Sequence, residues 1–146
     1  DVMLGDKLCV YDFSTVSYLD CKLDNPTKII LIPQEGLVLQ PNILYLGHTI
    51  ERIGSEYYVP MYDGRSSMGR LGIQSHISAG VGDIGFKEQW TLEISVMHPI
   101  KVYAQMRIGQ IHFHKIEDKY NNFKNHYKGK YQQQKGPQSS KSYLDK

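Results

Sequence analysis

Gln89-Trp90-Thr91-Leu92-Glu93-Ile94-Ser95-Val96 is the stretch whose reading decides the architecture. Thr91, Glu93 and Ser95 fall on one side of an extended chain, and Leu92 and Ile94 fall on the other. That period of two is what a strand with one buried face requires, because successive side chains leave opposite sides of a sheet. Working outward, Ile100-Lys101-Val102-Tyr103 and Ile108-Gly109-Gln110-Ile111-His112-Phe113 follow it. Before it stand Leu8-Cys9-Val10-Tyr11, Ile29-Ile30-Leu31-Ile32, Leu37-Val38-Leu39, Ile43-Leu44-Tyr45-Leu46 and Glu56-Tyr57-Tyr58-Val59-Pro60. Gly, Pro, Asn and Asp separate them, as in Gln40-Pro41-Asn42. Short strands at such spacing predict a mainly β chain, a barrel or a sandwich. The one departure is Arg65 to Ile73, where Met68, Leu71 and Ile73 predict a short helical turn.

The bulk properties bound the function. At 146 residues the chain has the size of one domain, with 40% hydrophobic and 22% charged residues, as in ordinary globular proteins. A net charge of +2 argues for neither a nucleic-acid nor a membrane surface, although a local basic pocket would still serve a small anion. The apolar run Ile29–Ile32 is far too short to span a bilayer, and with no signal peptide visible the expected location is cytoplasmic. Cys9 and Cys21 alone make neither a disulfide scaffold nor a four-ligand zinc site and are expected to be reduced. The chain opens at Asp1 in mid-pattern, so residues preceding Asp1 are expected. From Glu117 to Lys146 the composition turns to Lys, Asn, Gln, Tyr and Ser. We therefore expect a domain over 1–116 and a C-terminal segment over 117–146. That segment reads either as a disordered tail or as an arm closing over a ligand through Tyr127, Lys128, Lys130 and Tyr131.

Three places carry candidate chemistry. In Gly64-Arg65-Ser66-Ser67-Met68-Gly69-Arg70, two guanidiniums flank two hydroxyls, a set suited to phosphate oxygens, although a solvated turn reads the same way. Asp83 sits in the glycine-rich Ala79-Gly80-Val81-Gly82-Asp83-Ile84-Gly85, where backbone can approach a ligand closely. Glu93 is either an exposed strand residue or a carboxylate facing a pocket and held for proton transfer. His112 and His114 share a strand face but have no evident third metal ligand, so they read as solvated or interface histidines.

The order and spacing of these pieces resemble the dCTP deaminase family of the dUTPase-like superfamily. The resemblance rests on Gly64–Gly72, His76, Ala79-Gly80, Asp83-x-Gly85-Phe86, Thr91-Leu92-Glu93, Pro99-Ile100 and Met106–Gln110. It continues in the tail, Gly129-Lys130-Tyr131-Gln132-x-Gln134-x-Gly136-Pro137, and in the opening Asp1–Gly5, so it spans nearly the whole chain. Typical dUTPases carry Pro-Arg-Ser-Gly where this chain has Gly-Arg-Ser-Ser, and generally lack the glutamate of Thr91-Leu92-Glu93.

The resemblance implies a distorted dUTPase-like β-barrel, jelly-roll-like, assembled as a homotrimer or hexamer with active sites shared between subunits. It implies deamination of dCTP to dUTP and ammonia by a water that Glu93 activates, without zinc. The zinc deaminases' His-x-Glu and Pro-Cys-x-x-Cys segments are both absent. On the family's pattern Ser66, Arg70 and the backbone of Ala79 position the water. Arg65, Ser66, Ser67, Met68, Gly69 and Arg70 contact the nucleotide, Asp83 the sugar, and Thr91 and Leu92 the base. Gln110, Lys130 and Gln134 complete the set, with an aromatic residue for which Tyr120, Phe123 and Tyr127 compete. Mg²⁺ would travel with the triphosphate. Some family members continue to dUMP and diphosphate, with Asp83 as base, and Gln110 and the Glu93–Val96 context lean that way. dTTP is a candidate inhibitor. The runner-up readings are a dUTPase proper and a nucleotide-sensing module without turnover. Two departures from the family, Gly82 for a bulkier apolar residue before Asp83 and Glu88 for a glycine, are expected to loosen the loop that separates subunits.

Overall fold

A computed structural model describes residues 1–117 and 127–145. Its elements are β1 (Val2–Met3), β2 (Lys7–Tyr11), β3 (Thr27–Leu31), β4 (Leu37–Leu39), β5 (Tyr45–Ile53), β6 (Tyr58–Gly64), α1 (Ser66–Arg70), β7 (Ile73–Gln74), β8 (Glu88–Val96), β9 (Ile100–Val102) and β10 (Arg107–Lys115), followed by a 3-10 turn at Ser142–Leu144. The strands form three antiparallel sheets, ordered β3-β2-β5-β8-β7, β1-β10-β6 and β4-β9. The mainly β expectation with one short helix holds. Among the described residues, however, no sheet closes into a barrel. The smaller sheets share a core with the large one instead of extending its hydrogen-bond ladder, as layers packed around one core do.

The core draws on every sheet: Leu92 and Ile94 of β8, Leu39 and Val102 of the β4–β9 pair, and Val2, Tyr62 and Ile108 of the third. In β8 every second residue from Glu88 to Val96 is buried, which leaves Gln89, Thr91, Glu93 and Ser95 on the other face. β5 lies against β8 and is longer than its apolar run suggests, because Gly47, His48, Glu51 and Arg52 interrupt the pattern. Gly47 is small for a reason: a Cβ there would lie 2.8 Å from Ile94 Cδ1 and 3.0 Å from Leu4 Cδ1. The β5–β8 register shifts between His48 and Arg52, and buried Thr49 repairs the gap. Its hydroxyl accepts the Trp90 N–H at 2.9 Å and donates to the Glu51 carbonyl at 2.8 Å, so the irregularity leaves neither group orphaned.

The described part of the C-terminal segment is pinned across β8. The Gln134 amide donates to the Gln89 carbonyl, Gly136 N–H to Gln89 Oε1 at 2.8 Å, and Gln138 N–H to the Thr91 hydroxyl at 3.2 Å. Farther along, Ser140 N–H meets the Tyr11 hydroxyl at 3.2 Å and the Ser142 hydroxyl donates to the Cys21 carbonyl at 2.7 Å. No helix is long and apolar enough to cross a membrane among the described residues.

Candidate active site

Strand β8 sets the site, because its outward face carries Thr91 and Glu93 two residues apart. After β7, which pairs with the end of β8, the chain turns back over Glu93. The Ile77 and Ser78 N–H groups both donate to Glu93 Oε2, at 2.6 and 3.2 Å. Hydrogen bonds from two amides to one ionised oxygen are among the stronger kind and fix the carboxylate's orientation. Oε1 has no protein partner among the described residues. A cavity of about 460 Å³ opens beside it, within the usual range for small-molecule sites. Ala79, Asp83, Thr91, Glu93 and Gln134 line it together with Tyr127 and Tyr131, so residues singled out at separate places in the sequence meet here.

Aromatic rings from distant positions form the walls. Phe86 packs edge-on against Trp90, with ring centroids 6.4 Å apart, and against Tyr127 at 5.2 Å. Tyr131 and Tyr11 also line the cavity. Of the three competing tail aromatics, Tyr127 stands at the site, with its N–H on the Ile84 carbonyl at 2.9 Å, whereas Tyr120 and Phe123 lie outside the described residues. Trp90, Tyr11 and Gln138 went unread in the sequence as site residues. Trp90 carries the core-face parity of β8, and nothing in the local pattern tells that its ring extends as far as the cavity.

The loop around Asp83 is not slack at the two unusual positions. A Cβ at Gly82 would collide with Cη2 and Cζ2 of Trp90 and lie 2.9 Å from Pro60 Cγ. The indole thus fills the space that a larger residue at position 82 would take. Glu88 is buried on the core face and meets the Arg52 guanidinium at 2.5 Å. Within one chain both positions are thus packed against neighbours.

Other singled-out residues lie elsewhere. The Leu92 side chain is core, so only its backbone faces the site. Arg65, Ser66, Ser67, Met68, Gly69 and Arg70 do not line the cavity; Arg65 caps α1, the next five residues form it, and Met68 packs on the core. Gln110 sits on β10 opposite Asp63, two residues ahead of Arg65. Arg65 and Arg107 approach the Asp1 carboxylate at 3.5 and 3.6 Å. Lys130 donates to both Asp145 carboxylate oxygens at 2.6 Å, which holds its ammonium above the usual lysine range, and it lies over the Tyr131 ring. Among the described residues the cavity wall contains Asp83 and Glu93 but no Lys, Arg or His. His112 and His114 are exposed on β10, and no cluster of three or more His, Cys, Asp or Glu is arranged to hold a metal ion among the described residues.

Comparison with known proteins identifies the family. A family model described as dCTP deaminase-like matches residues 1–116. The chain is 50% identical over 145 residues to a protein of Cytophaga hutchinsonii named "dCTP deaminase, dUMP-forming", covering 99% of this chain and 80% of that one. It is 46% identical to a protein of the same name from Clostridium acetobutylicum, with the same coverage. In structure it resembles the 2'-deoxycytidine 5'-triphosphate deaminase of Agrobacterium tumefaciens with a TM-score of 0.61. That match covers 77% of this chain and 37% of the other at 22% identity, and bears on the fold alone. With the family pattern matched from Asp1 through β10 and relatives half identical along almost the whole length, the chain belongs to the dCTP deaminase family.

Proposed function

We propose that this chain hydrolyses dCTP at C4 of the cytosine, releasing ammonia, and carries the product on to dUMP. The observation that carries the reading is Glu93: its Oε2 is fixed by two amides while Oε1 is left to the cavity. Cytosine is a poor electrophile, so a water must be placed against C4 and deprotonated as it attacks. Glu93 takes that proton and delivers protons toward the ring and the departing amine, a role worth roughly 10²–10⁴-fold. The Ala79 backbone helps hold the water. Thr91 and the Leu92 backbone meet the base, Asp83 the sugar, and Gln134 draws the C-terminal arm over the nucleotide. The Gln134 bond to the Gln89 carbonyl on β8 supports that last role.

Among the described residues the wall has no cation, a poor seat for a triphosphate, because several negative charges would meet two carboxylates. The cationic Arg65–Arg70 segment and Gln110 lie off the cavity in the same chain. We therefore place them at the cavity of a neighbouring copy in a homotrimer, where Ser66 and Arg70 approach the water and Arg65, Ser67, Met68 and Gly69 hold phosphates. Lys130, released from Asp145, adds to that charge as the arm closes. Mg²⁺ enters with the triphosphate. For the second step Asp83 activates a water for release of diphosphate, in keeping with relatives named dUMP-forming.

Product analysis after incubation with dCTP and Mg²⁺, beside a Glu93→Gln variant, tests this. Ammonia and dUMP from the parent, with the variant inactive by at least about 10²-fold, support it. Survival of dCTP while dUTP is hydrolysed would make the protein a dUTPase and remove the role given to Glu93.

A further inference from the structure

The amide pair that holds Glu93 is itself held, and by a residue outside the cavity. Ser75, which directly follows β7, is buried, and the Tyr62 hydroxyl of β6 donates to its Oγ at 2.7 Å. Five residues later the Tyr62 backbone N–H donates to the Gly80 carbonyl at 2.6 Å. One residue of β6 therefore grips both ends of the stretch 75–80, with its side chain at one end and its main chain at the other. Beyond it the strap continues through the Met61–Val81 bridge and Gly82 N–H on the Pro60 carbonyl at 2.8 Å. Between the two grips lie only His76, Ile77, Ser78 and Ala79. Ile77 and Ser78 supply the amides on Glu93, and Ala79 lines the cavity. The His76 ring packs edge-on to the Tyr62 ring, with centroids 5.5 Å apart and planes at 83°.

We infer that Tyr62 is a positioning residue for the reaction: through Ser75 its hydroxyl fixes the Ile77–Ser78 amide pair, and so the direction in which Glu93 faces the reacting water. The phenol suits the task. It is 4% exposed, and burial pushes its pKa up to about 12, so it stays a donor across the physiological range. Across the sheet Gly109 leaves it room, since a Cβ there would fall within the Tyr62 ring. The backbone grip at Gly80 survives any substitution of the side chain, so removing the hydroxyl releases one end of the stretch and leaves the other tied.

This inference rests on the reading of Glu93 as the base, and the test keeps the two separate. Full-length Tyr62→Phe, Ser75→Ala and the double variant are assayed for ammonia release from dCTP, with Val102→Ala as a core control remote from the loop. If both single changes act through one bond, kcat falls about tenfold in each with KM within about twofold, the double variant loses no more, and Val102→Ala loses stability but not kcat. A kcat retained in both single variants, or lost equally in Val102→Ala, overturns the proposal. Amide hydrogen exchange over residues 75–80 provides the independent reading. If exchange at Ile77 and Ser78 quickens in Tyr62→Phe while the parent fails to deaminate, the strap stands and the assignment of Glu93 falls. If exchange is unchanged, the strap itself is refuted.

Discussion

Replacing Gly82 by alanine adds one methyl group to the loop that carries Asp83, and the structure says what that methyl meets. The ideal Cβ collides with the outer edge of the Trp90 six-membered ring and lies 2.9 Å from Pro60 Cγ. Trp90 is not free to step aside, because its indole N–H donates to the Ile53 carbonyl at 3.0 Å and its backbone N–H to the Thr49 hydroxyl at 2.9 Å. Moving the loop instead pulls Gly82 N–H from the Pro60 carbonyl, now 2.8 Å away. Position 82 does not have a positive φ, so the penalty is steric alone. Overpacking of a well-filled site costs about 1–3 kcal/mol, offset by about 0.4–1 kcal/mol from the stiffer unfolded chain. The expected net loss is about 1–2 kcal/mol, read by urea denaturation at one fixed protein concentration. Trp90→Leu alone should cost about 2–4 kcal/mol through the void it leaves. In that background the alanine should cost nothing or stabilise, giving a coupling energy of about 1–2 kcal/mol. Equal costs in the two backgrounds, or a Gly82→Ala protein as stable as the parent, would show that the indole does not determine the residue at position 82.

Two further predictions concern pH. Because Tyr62 titrates near 12 folded and near 10 unfolded, the folded state holds its proton longer, and stability is complete below pH 10 and falls as pH rises toward 12. The loss reaches roughly 2–3 kcal/mol, and alkaline denaturation curves of Tyr62→Phe should lack that component. At the other extreme, Asp12 receives the Lys28 ammonium at 2.8 Å and the Ser14 N–H at 3.0 Å, which draw its carboxyl from 3.8 down to about 2. Its contribution is present above the ordinary carboxylate range and lost as pH falls toward 2, so acid unfolding of Asp12→Asn should be flatter there, and an unchanged profile would sink the assignment.

What the sequence made legible divides along physical lines. Strand parity in β8 is visible because one face is core and the other is not, so the sequence alone places Glu93 and Thr91 on one side. β4 was read at its bounds, Leu37–Leu39. β5 was cut short because its continuation is secured by a side chain, Thr49, rather than by an apolar run, and hydrophobic period is blind to that kind of support. The strand read at Glu56–Pro60 stops short of β6, which continues to Gly64 because Asp63 and Gly64 pair with Gln110 and Gly109, a support that lies in the partner strand and not in the local pattern. The polar tail illustrates the reverse difficulty: its composition predicts little burial, but Gln134 and Gln138 are tied by hydrogen bonds to β8 groups that lie far away in the chain.

The site shows why order along a chain and convergence in space carry different information. The motif Gly64–Arg70 reads in the sequence either as an anion-binding segment or as a solvated turn, and its side chains alone do not say which cavity it would face. Its absence from the cavity that holds Glu93 is invisible to any linear reading. The same holds for the wall opposite: Trp90 and Gly82 make sense only as a pair, since the large residue at one position permits nothing larger than hydrogen at the other. On the role proposed for Glu93, the carboxylate must be fixed relative to its amide donors, and those donors come from the stretch 75–80 of the same chain, braced by β6. Polyphosphate charge is felt over longer distances and tolerates a looser geometry, so its partners can come from a different copy without loss of precision at C4. The division between a cavity wall whose charged groups, among the described residues, are carboxylates alone and a cationic segment held apart from it is the arrangement expected if chemistry and charge neutralisation are supplied by different subunits.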